Sequence, residues 1–217
     1  MALHGKNLHQ QHYPHPNVGV VPTIRITGDA DRYVNEVATN TLSVGADLTV
    51  LGTNHCPGLA QGLHIELAGT ASGGGYPGVT LRIWGDDQFG KPIVQEMSIS
   101  GSASATTNDS DTNPGRPFAL VRRVQCTALT NPGTTGVTVA LGINSGTIGN
   151  RIALPFKIKS STVGDAGQVV SIHEFDGTDR TANLGLDTKY HAWYLTGGSA
   201  DVGMYYLTCN FQPGDDF

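Results

Sequence analysis

The sequence predicts an all-β protein, an antiparallel β-sandwich of jelly-roll-like type with an extended amino-terminal arm. Three observations carry this. Twenty-nine glycines and 11 prolines in 217 residues, with only 14% charged residues, favour short strands and tight turns over helices. No amphipathic stretch of helical length stands out. Period-two alternation recurs along the chain, most clearly in VTLRIWGDDQFGKPIVQEMSIS, Val79 to Ser100. A chain of this length buries roughly 70 to 75 per cent of its unfolded surface, enough for one core, so the expected organisation is an arm over residues 1–21 and one domain over 22–217.

Residues 1–21 contain His4, His9, His12, Tyr13, His15, Pro14 and Pro16 with little apolar periodicity. They read as an arm that orders by docking on a partner. The histidine spacing matches no established ligand pattern and neither Cys nor Asp joins it. A first strand is expected around Ile24 and Ile26, closed by a turn at Gly28 to Asp31, followed by an apolar stretch from Thr41 to Leu51. Leu63, Ile65 and Leu67 alternate with His64 and Glu66, which read as two polar side chains on a solvated strand face rather than as an acid/base pair. Gly73, Gly75 and Gly78 match GxGxxG formally. Pro77 and a β-pattern follow, however, where a phosphate-cradling loop needs a helix.

Val79 to Ser100 reads as a β-ribbon: Val79, Leu81 and Ile83 alternate with Thr80, Arg82 and Trp84, and Ile93, Met97 and Ile99 take one parity of the returning strand. The connection Gly85 to Pro92 places Asp86, Asp87, Phe89 and Lys91 at a polar tip, a candidate partner contact. Gly101 to Pro117 is expected to be a surface loop. Its Asp109 and Asp111 lack the glycine and terminal Glu of an EF-hand, and its Asn108-Asp109-Ser110 sequon carries meaning only on secretion. Further strands are expected at Phe118 to Cys126, Val137 to Ile143, Arg151 to Ile158, Val169 to Phe175, Lys189 to Leu195 and Met204 to Phe211. Within Arg151 to Ile158, Pro155 cannot donate to a ladder and marks an edge or bulge, a second candidate contact.

The net charge of −5, with 13 scattered basic residues, opposes a general role on nucleic acid or anionic membrane. No apolar run approaches the ~18 residues of a membrane span, and the polar amino terminus predicts a chain made in the cytoplasm. Cys56, Cys126 and Cys209 form neither a disulfide framework nor a zinc pattern and are expected as free, mostly buried thiols. GxSxG, HExxH, P-loop and CxxC motifs are absent from the sequence, and Asp86 with Asp87, like His173 with Glu174, are neighbours that point apart in extended chain. The expectation is a protein that is not an enzyme and has no cofactor.

Two stretches, LRIWGDDQFGKPIVQEMSISG running on to FALVRRV, and Gly149 to Phe156 (GNRIALPF), resemble a family of tailed-bacteriophage virion proteins. Together they cover about residues 79–160, with Ala153 where that family commonly has Gly. The resemblance implies a head decoration, or cement, protein on the outer capsid surface. It would bind the major capsid protein across neighbouring capsomers and itself as a dimer or trimer. A tail, neck or fibre component is the first alternative. A carbohydrate-binding module is the second, and it requires Trp84 and Trp193 to form an exposed stacking platform.

Overall fold

The computed structural model describes residues 18–24, 29–51, 60–72, 75–100, 105–109, 116–143, 151–164, 169–196 and 204–210. They form fourteen strands and almost no helix, and none of the helical segments among them is long and apolar enough to cross a membrane. The strands are β1 (Val18–Ile24), β2 (Asp29–Ala38), β3 (Asp47–Leu48), β4 (His64–Ser72), β5 (Gly78–Asp86), β6 (Pro92–Ser100), β7 (Ala105–Asp109), β8 (Leu120–Thr130), β9 (Thr135–Ile143), β10 (Ile152–Ala153), β11 (Val169–Glu174), β12 (Leu184–Asp187), β13 (Ala192–Leu195) and β14 (Met204–Asn210). Every pairing between them is antiparallel.

Instead of one core there are two. Sheets β2-β9-β4-β7 and β3-β8-β5-β6 both supply the first, which includes Leu63, Ile65, Leu67, Leu81, Ile83, Val124, Val139 and Leu141, each fully buried. Sheets β1-β14-β11 and β10-β13-β12 supply the second, around Trp193 and Tyr205, whose rings meet edge-on at 5.7 Å and 62°. The described part of the chain begins in the second unit with β1, builds the first unit from β2 to β9, and returns. Both ends of the first unit are therefore tied into the second.

The ribbon forms as its alternation predicts, with β5 and β6 in register from Gly78↔Ser100 to Asp86↔Pro92. Elsewhere the sequence misled for local reasons. β1 takes in Val18 to Val21, residues expected in the arm, and pairs with β14; Pro22 is tolerated because β1 is a sheet edge. β2 occupies Asp29 to Asp31, where a turn was expected, and two register shifts break the alternation that would have revealed it. β7 lies inside the expected 101–117 loop. It is a polar edge strand on β4, without the apolar alternation by which strands are recognised. β12 was unforeseen. Pro155 falls after β10, which has two residues: Leu154 N still donates to the His191 carbonyl at 2.8 Å, in line with the Ile152↔Trp193 and Ala153↔Ala192 register, and Pro155, which has no amide hydrogen, comes directly after it. His64 is 2% exposed, not solvated: its end of β4 runs directly into the junction between the two units.

That junction is a seam of main-chain hydrogen bonds around residues 60–62. Phe118 N donates to Gln61 O at 2.9 Å from the first unit, while Gly62 N donates to Arg151 O at 2.8 Å and Ala153 N to Ala60 O at 2.9 Å on the second. Three backbones approach closely here, and the side chains between them are Ala60, Ala119 and Ala153, all buried. Beside the seam, β5 shifts register against β8 between Trp84 and Gly85. A Cβ at Gly85 would fall on the Leu120 carbonyl oxygen and 2.7 Å from Phe118 Cδ1. Gly85→Ala is therefore expected to destabilise the protein by about 2 kcal/mol or more, with a lower denaturant midpoint at unchanged m-value.

Candidate functional site

The ribbon tip is shaped by Asp87. Its amide donates to Lys91 O at 2.9 Å and its carbonyl accepts Gly90 N at 3.0 Å, while its carboxylate Oδ1 accepts the Phe89 and Lys91 amides, both at 2.9 Å. Gly90 supplies the left-handed backbone the turn requires, φ +73°. The tip does not project into solvent as a separate finger. Gln88 Nε2 donates to the carbonyls of Tyr190 at 2.8 Å and His191 at 3.4 Å, and the Phe89 ring meets the His191 ring at 5.9 Å and 72°.

The loop it meets, after β12, is organised by Asp187. Oδ1 accepts the amides of Lys189 at 2.9 Å and Tyr190 at 3.1 Å, and Oδ2 accepts Arg151 Nε at 2.7 Å. His191 then adopts φ +49°, an uncommon conformation for a residue with a side chain. Its carbonyl accepts from Leu154 and Gln88. Its Nδ1 accepts the Ile158 amide at 3.2 Å, which leaves the neutral ring's proton on Nε2.

Between tip and loop lies a pocket of about 250 Å³, walled by both units and lined by Asp87, Phe89, Ile93, Pro117, Tyr190 and His191 together with Lys91, Arg116, Lys157 and Lys189. Its electrostatics are unusual for an acidic chain. Arg82, Arg122, Arg123, Arg151 and Arg180 each pair with a carboxylate. Among the described residues, the four pocket cations form no ion pair. They are held beside one another partly by Tyr190, with Arg116 5.6 Å and Lys189 Nζ 4.8 Å from its ring centroid. Asp87, the acidic lining residue, has its Oδ1 committed to the turn. Such an arrangement can attract and hold a negatively charged group.

Of the expected contact residues, Asp87, Phe89 and Lys91 reach this pocket. Asp86 does not: it is buried and ion-paired with Arg122, whose guanidinium it holds above its ordinary value by hydrogen bonding and then by charge. Pro155 is exposed and outside the lining, and His9, His12, Tyr13 and His15 lie outside the described residues. Arg116, Lys157, Lys189, Tyr190 and His191 were missed, because they sit on separate connections and no local motif links them. Elsewhere, His64 Nε2 lies 3.9 Å from Glu66 Oε2. Burial pushes the Cys209 thiol up to about 12 and raises that of Cys126, away from nucleophilic character. Among the described residues no three His, Cys, Asp or Glu side chains gather as a metal site.

Burial, then Lys157, and more weakly Lys91, lower the His191 pKa from 6.5, against an opposing effect of Asp187. Since folding lowers this pKa, the unfolded chain binds the proton more readily, and His191 withdraws stability as pH falls below the unfolded value of 6.5. In an NMR titration His191 is expected to have its midpoint below that of a free histidine, and Lys157→Gln to move the midpoint upward.

No family model, characterised relative or solved structure matches this chain.

Proposed function

We propose that this protein is a non-enzymatic virion component, a decoration or cement protein that binds the outside of a tailed-bacteriophage head and ties neighbouring capsomers together. The observation that carries the reading is the strand order of the first unit. Numbered one to eight from β2 to β9, its strands run 1-8-3-6 in one sheet and 2-7-4-5 in the other. We read this order, across one shared core, as a jelly-roll sandwich, an architecture used by viral capsid and lectin domains. The resemblance of residues 79–160 to phage virion proteins favours the former.

The lectin-like rival has less support. Trp193 is fully buried, and Trp84 is half-buried beneath Arg123 and Arg82, 4.6 and 6.0 Å from its ring, so the two tryptophans make no open platform for a sugar ring.

A head-binding clamp needs a stiff body and outlying segments that reach a neighbour. The stiff body is the pair of units joined by the seam. Residues 1–17 lead directly into β1, an edge strand, and in this reading they lie along an adjacent capsomer or a second copy within a dimer or trimer. Phe175, 71% exposed and stacked on Tyr206 at 6.0 Å, offers an apolar contact on the same sheet.

Purified protein added to heads lacking it is expected to bind at a fixed number per capsomer, on the outer surface by electron microscopy, and to raise the temperature at which heads rupture. Deleting residues 1–17, which leaves β1 intact, is expected to lower occupancy at least tenfold at equal salt. Density confined to tail or neck, or undiminished binding of the truncated chain, contradicts the proposal.

A further inference from the structure

We propose that the pocket between the ribbon tip and the loop after β12 is a binding site for an acidic segment of a partner protein, its Asp or Glu carboxylates taken up by Lys91, Arg116, Lys157 and Lys189.

Most of the described cations are already spent on partners of their own. Every other arginine whose side chain is described has a carboxylate partner, and Lys159 is engaged as well. Lys91, Arg116, Lys157 and Lys189 have no ion pair among the described residues, and all four line this one pocket. Four positive charges brought together in a chain of net charge −5 repel one another, and a bound anion offsets that repulsion. Their geometry is built: Asp187 fixes the Lys189 and Tyr190 backbone, Gln88 clamps the loop to the tip, and the Tyr190 ring keeps Arg116 and Lys189 close. Burial is the main cause of the lowered His191 pKa, and the further lowering by Lys157 and, more weakly, Lys91 agrees with cations gathered on this pocket.

The chemistry of the walls selects among anions. A phosphate site is commonly a nest of convergent backbone N–H groups. Here the amides of Phe89, Lys91, Lys189 and Tyr190 already donate to Asp87 or Asp187, that of Ile158 to His191, and that of Arg116 to Gln95. Recognition is left to the long cationic side chains, which suit carboxylates on a flexible chain. Nucleic acid calls for a stripe of cations along its backbone, and the arginines outside the pocket whose side chains are described are neutralised. Phe89, Ile93, Pro117 and Tyr190 add apolar surface for the stems and neighbours of acidic residues. The inference stands apart from the virion proposal and survives if the protein is found elsewhere.

The test is isothermal titration of the full chain with acetylated, amidated penta-aspartate, in parallel with inorganic phosphate and penta-thymidylate. The expected result is saturable one-to-one binding of the peptide, weakened by salt, with shifts of the Tyr190 and His191 ring resonances. The exposed pair Lys157→Gln with Lys189→Gln is expected to weaken it at least tenfold with no fall in melting temperature. Arg82→Gln with Arg123→Gln removes the same charge outside the pocket and is expected to weaken it less than threefold. Absence of saturable peptide binding, equal losses in the two double variants, or tighter binding of phosphate or the oligonucleotide than of the peptide would each overturn the proposal.

Discussion

The structure depends on a short run of backbone at residues 60–62. Its hydrogen bonds face both ways, to Phe118 in one unit and to Arg151 and Ala153 in the other. Buried amides and carbonyls must find partners, so pulling the second unit away here would break the two bonds to Arg151 and Ala153 and expose the alanine cluster. Small side chains are what permit the approach. The chain path reinforces it, because β1 and β14, at opposite ends of the described chain, lie side by side in the second unit, and the first unit is an insertion closed at both ends.

The pocket follows from that constraint. One wall is the turn closed by Asp87, the other the loop closed by Asp187, and each acidic residue gives its Oδ1 to two backbone amides, while Oδ2 of Asp187 pairs with Arg151. Both carboxylates thus shape the walls, and among the described residues neither forms an ion pair with a pocket cation. His191, in its uncommon conformation, joins the walls through its carbonyl, its ring nitrogen and its contact with Phe89. Ligand pockets often form where two units meet, and this one owes its charge to both.

What the sequence disclosed depended on whether the information was local. The β5–β6 ribbon was legible because alternation and turn chemistry coincide within twenty-two residues, Val79 to Ser100. β2 was hidden by its bulges, β7 by its polarity, and β1 by Pro22 beside a histidine-rich stretch. That there are two cores could not be read from apolar positions alone, since Leu67 and Leu207 look alike in sequence and belong to different clusters. The site was half visible: Asp87, Phe89 and Lys91 share one turn, but their counterparts lie in residues 116–117, 157 and 189–191. That Lys157 and Lys189 have no ion pair among the described residues while Arg151 and Arg180 do is a fact of three-dimensional neighbours.

The central claim is that the seam makes two cores into one body, on which both the pocket and any clamping role rest. Native-state hydrogen exchange on the amides of Gly62, Phe118 and Ala153 tests it most directly, since these are the donors of the seam. The account predicts that all three exchange only by global unfolding, with the same free energy and denaturant dependence as the amides of Leu81 and Leu207 in the two cores. Exchange of the seam amides through a lower-energy opening, while both cores stay protected, would contradict it.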